Sequence, residues 1–144
     1  MSDADGSDEL LPPDINYFEM RWLGGLAISV PIAVLMFDYS ASVVGAPRAL
    51  IINIVLFAIA TVLMFRISRH RSNLARWILA IPFNLLMLFY DVSHLAAEME
   101  TMGSAAAYLA PVRLGLMAWA TWALFTARSR AWFAGRPDPA DTQD

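Results

Sequence analysis

The chain contains no cysteine, which excludes disulfides, thiolate metal sites and thiol redox catalysis. Lysine is missing too, since all ten basic residues are arginine, and no functional weight falls on that absence. Histidine is nearly absent. His70 and His94 are expected on opposite sides of a membrane, so one chain cannot offer bis-histidine haem ligation. Charged residues make up only 16% of the chain, and no nucleic-acid-binding module is present. The first twenty residues lack the basic start and apolar centre of a cleaved signal peptide, so the first apolar run is expected to remain in the mature protein.

What is present is apolar. A hydrophobic fraction of 58% over 144 residues, with a mean hydropathy of +0.52, exceeds what the interior of a soluble domain this small can hide. Apolar runs alternate with short charged segments, the pattern of an all-α membrane protein in one domain. Four spans are expected, at about 22–39, 48–66, 77–95 and 107–127, inside a transmembrane domain of 17–133. Pro31 is expected to kink the first. Segment 1–16, with Asp3, Asp5, Asp8, Glu9 and Asp14, reads as an acidic disordered tail, and 134–144 reads as a second one.

Orientation follows from arginine. Arg66, Arg69, Arg71 and Arg76 crowd one short loop between two apolar runs. A guanidinium stays charged and does not cross a bilayer cheaply, so this loop is expected to remain cytoplasmic. With both termini inside, eight arginines (21, 66, 69, 71, 76, 128, 130 and 136) are cytoplasmic and two (48 and 113) lie outward. A four-helix bundle with cytoplasmic termini is the expected fold. Tryptophan and tyrosine, Trp22 among them, are expected as interfacial belt anchors.

The two halves resemble each other. Arg21-Trp22 leads to Asp38-Tyr39-Ser40, and Arg76-Trp77 leads to Asp91-Val92-Ser93. The descending helices open with Pro47-Arg48 and with Pro111 and Arg113. Each half reads as a helical hairpin, and because both start and finish inside, a duplication would be a parallel repeat. Counting helix rise at about 1.5 Å per residue sets Asp91 and Arg113 at matching depths inside the apolar layer, with Asp38 and Arg48 nearer the surface. Ion pairs Asp91–Arg113 and Asp38–Arg48, or an exchange between hairpins, are therefore expected.

Asn84, Asp91, His94 and Glu98 share one face of the third span. The plain expectation is that Asp91 pairs with Arg113 while His94 and Glu98 rise into outer-surface water. The alternatives are an ion or proton route along the stripe, or a divalent metal site. Asn53 and Asn84 lie deep in their spans and call for interhelical hydrogen bonds. Gly24, Gly25 and Ser29, and Gly115 with Ala118, offer close-packing surfaces. Ser93 beside His94 makes a poor nucleophile and base, since adjacent helical residues point about 100° apart.

Two inner-face segments carry a resemblance: Ser68–Trp77, and Leu124–Phe133 with Arg128, Arg130 and Trp132. Together with the hairpin layout they are similar to small four-helix bacterial inner-membrane proteins of no assigned chemistry. The resemblance implies a bacterial inner membrane and a four-helix bundle, and no activity. The expected protein is thus non-enzymatic and without cofactor, an accessory or scaffolding subunit of a larger membrane complex or a small homo-oligomer. The alternative is an oligomeric cation or proton channel using Asn84, Asp91 and His94. The basic loop, including Arg128 and Arg130, is expected to meet anionic lipid head groups or a cytoplasmic partner.

Overall fold

The computed structural model describes residues 11–101 and 105–135, with side chains described outside 94–107. Among the described residues every regular element is helical. In order they are α1 Pro13–Leu35, α2 Phe37–Val44, α3 Ala46–His70, α4 Asn73–Ile78, a π-helical turn at Leu79–Phe83, α5 Asn84–Thr101, α6 Ala105–Ala123 and α7 Ala127–Phe133. Three stretches are long and apolar enough to cross a membrane: Pro13–Leu35, Ala46–His70 and Asn73–Ser93. A fourth exists if Tyr108–Ala123 and Ala127–Phe133, bent by 63°, count as one span. This is a multi-pass helical membrane protein, in which helices satisfy every backbone group without water.

Local chemistry places several boundaries away from their expected positions. α1 begins inside the expected tail, because Pro13 is preset for a first helical turn and Asp14 adds negative charge to it. Pro31 lies inside a helix that continues to Leu35, and the break comes at Met36 instead. The outer turn after it is itself helical as α2, closed by Gly45 at φ 87°, a left-handed region where a side chain would be strained. The arginine loop is mostly helix. α3 runs through Arg66 and Arg69 to His70, and Ser72 starts α4 by accepting the Ala75 amide at 3.2 Å. Pro82 has no amide to donate, and the ladder around it widens into the π turn.

The core sits at the arginine-rich end. Ile15, Phe18, Trp22 and Leu26 line one stripe of α1 and meet Ala60, Leu63, Met64 and Ile67 of α3. Leu79, Phe83 and Met87 join from the third span, and Met117, Ala120, Ala123 and Leu124 from α6. Trp22 is no belt anchor. It is fully buried, with ring centroids 5.9 Å from Phe18 and 6.1 Å from Phe83. Trp77, Trp119 and Trp122 are the exposed ones. Most apolar side chains on the outer face of α3, such as Ile51, Val55 and Val62, are also exposed, as lipid-facing positions are.

Helix α1 packs most extensively on α6. The contact depends on Gly25, where an added Cβ would stand 2.9 Å from Met117 Cγ. Around Gly115 nothing lies within 4 Å of such a Cβ. Gly25→Ala should therefore lower unfolding stability in detergent by about 1–3 kcal/mol through overpacking. Gly115→Ala should leave it unchanged; equal losses in a thermal melt would contradict this packing.

Candidate functional site

The polar side chains inside the apolar layer are held mainly on α5 and α6. Asn84 and Asp91 stand about two helical turns apart on α5, and Thr121 and Arg113 stand about two turns apart on α6. The helices pack together, and the two spacings match. Asn84 Nδ2 donates to Thr121 Oγ1 at 3.0 Å, and Arg113 Nη2 donates to Asp91 Oδ1. The ion pair is enclosed, with side chains 4% and 6% exposed for Arg113 and Asp91. Arg113 Nη1 reaches Ser29 Oγ on α1 at 3.5 Å, and Ser29 donates to Gly25 O at 2.8 Å. One guanidinium thus joins three helices.

The other expected positions fall differently. Asp38, on α2, and Arg48, in the first turn of α3, are both exposed, and among the described residues no ion pair joins them. The physical reason is the break at Met36: it moves Asp38 onto its own short helix, whereas Asp91 stays within the continuous α5. The two halves differ at this point. Asn53 bonds within its own helix, donating to Ala49 O at 2.9 Å, instead of to a neighbour. The side chains of His94 and Glu98 lie outside the described residues. Among the described residues no three His, Cys, Asp or Glu side chains gather as a metal site would need.

Two features have no counterpart in the sequence reading. The first is a cleft of about 720 Å³ between α1, α3 and α5, reaching from the edge of the core at Met87 to Arg113 and Asp38. Val30, Ala33, Leu50, Ile54, Phe57 and Met87 line it, with Ser29, Asp38, Asn53, Tyr90 and Arg113 as its polar members. It is a mainly apolar cavity with a few polar groups, of the size that ligands or partner segments fill. No periodicity in α3 announces it, because lipid-facing and cleft-facing residues are equally apolar. The pairing of Asn84 with Thr121 was legible in principle from the matched spacings on the two spans.

The second feature is the arrangement at the basic end. Arg69 pairs with Glu19 at 3.3 Å, and Ser68 donates to the same carboxylate at 3.4 Å. Arg21 lies 3.8 Å over the Trp119 ring, and Arg71 lies 5.1 Å over Trp132. Arg76 is 7% exposed. Thr126 caps α7, accepting the Ser129 amide at 3.1 Å and donating to Asp14 of α1. Arg66, Arg128 and Arg130 complete the cationic set on α3 and α7.

Removing one partner of the buried pair leaves a charge without compensation. Asp91→Asn should cost about 3–5 kcal/mol, and Asp91→Leu combined with Arg113→Met should recover most of that loss. Folded fraction in a defined micelle reads both, and a double variant no better than the single would count against the pair. For Asn84→Ala with Thr121→Ala, a double-mutant cycle should give a coupling of about 0.6 kcal/mol.

Comparison of the chain with protein-family models, with curated proteins and with solved structures gave no match.

Proposed function

We propose that this is a non-enzymatic four-span protein of a bacterial inner membrane, with both termini on the cytoplasmic side, serving as an accessory subunit of a larger membrane complex. The observation that carries this reading is the contrast between closed polar groups and an open apolar cleft. Asn84 and Asp91, the two members of the Asn84–Asp91–His94 stripe whose side chains are described, are turned onto Thr121 and Arg113. A group already held in a partner's hydrogen bond is poorly placed to pass ions, which favours the accessory reading over an oligomeric channel. The cleft offers apolar walls and little charge, which suits a transmembrane helix of a companion protein.

Orientation rests on the basic end. Arg21 of α1, Arg69 of α3, Arg71 just after it and Arg76 of α4 meet groups of α1, α6 and α7, and the side richer in arginine stays inside. The 63° bend before α7 suits a fourth span that ends at Ala123 and turns along the interface, with Arg128, Arg130 and Trp132 in the head-group layer. The hairpin repeat is part of this proposal, with α2 as the feature by which the first half departs from the second.

The native mass of the protein extracted mildly from its own membrane is the test. A complex containing other proteins is expected. Ala33→Phe, which fills the cleft, should release the companions while membrane abundance stays at the wild-type level. A symmetric homo-oligomer whose flux falls in Asp91→Asn, or a lone monomer, would refute the accessory reading.

A further inference from the structure

Arg76 is a buried cation that neither the core nor the cleft accounts for. Its side chain is enclosed by rings, with the guanidinium carbon 4.8 Å from the Phe125 ring centroid, 4.7 Å from that of Phe133 and 5.7 Å from that of Trp77. Its Nε and Nη1 are both buried and have no hydrogen-bond partner among the described residues. No described carboxylate pairs with it, and Arg130 of α7 adds a second positive charge nearby. Burial of a guanidinium without a counter-charge is costly, and ring faces return only part of that cost. An anion at this guanidinium would offset that cost.

Its position says which kind. Arg76 stands in the first helical turns after Ser72, where the third apolar stretch begins, and next to α7. That is the depth of the head-group layer on the basic side. Arg130 is exposed there, and Arg71 lies over Trp132, whose ring contacts Phe133 at 4.9 Å. A phosphodiester oxygen accepts hydrogen bonds in the geometry that a guanidinium fork presents. The part of Arg76 left open at the surface gives it an approach.

We propose that Arg76, with Arg130 and Arg71 around it, binds the phosphate of an anionic phospholipid of the cytoplasmic leaflet. The site rests on the reading that this end lies at the bilayer interface. It does not depend on a companion protein, so loss of the accessory role would leave it standing.

The test uses the full chain in maltoside micelles with phosphatidylglycerol, phosphatidylcholine or inorganic phosphate at matched ionic strength. Bound lipid is counted by native mass spectrometry. Phosphatidylglycerol should be retained in preference to phosphatidylcholine, and Arg76→Gln should weaken its retention about fivefold, the share of one arginine near a membrane surface. Arg130→Gln, at an exposed position that does not threaten folding, should weaken it by about the same factor. Arg66→Gln, exposed on α3, should leave it unchanged. Equal losses in all three variants would assign binding to diffuse charge and overturn the site. Inorganic phosphate competing as well as the lipid would overturn the lipid assignment, and no preference for phosphatidylglycerol would overturn both.

Discussion

The lack of water inside the apolar layer constrains everything else. A charged group there survives only against another, and Arg113 meets Asp91 across α5 and α6 while reaching Ser29 on α1. Because the pair fixes the rotation of both helices, Asn84 and Thr121 come into register about two turns away. Once α6 is placed, Gly25 lets α1 close on Met117. The polar groups thereby act as a registry device within a bundle whose apolar surfaces discriminate little among themselves.

The bundle is uneven along its length. Tight packing gathers at the arginine-rich end, where α1, α3, the third span and α6 all contribute to one cluster around Trp22 and Phe18. Between α1, α3 and α5 the packing opens into the cleft beside Arg113. In water such a groove would collapse or attract aggregation, whereas in lipid it has no hydrophobic penalty and can wait for a fitting occupant. The same reasoning explains the exposed apolar ridge of α3.

Much of the site was readable from residue type and depth. Equal distances from the membrane boundaries joined Asp91 to Arg113, because an unpaired charge at that level has nowhere else to go. The same count misjudged Asp38 and Arg48, which are both exposed and, among the described residues, form no ion pair with each other. It also misjudged Asn53, since a side-chain amide can bond back to its own helix at no cost in partners. Trp22 looked like a belt residue because sequence position gives depth but not direction.

By itself, the sequence determined the helical class, the apolar spans and the crowding of arginine at one end. Those depend on what each segment can tolerate in lipid, a property local to the segment. Tertiary structure alone decided which face of each helix turns inward. It buried Trp22 and Arg76, broke the first span at Met36 and opened the cleft between α1, α3 and α5. In a chain where both lipid-facing and core-facing residues are apolar, hydrophobic periodicity carries little directional information, and the choice falls to shape and to a few polar contacts.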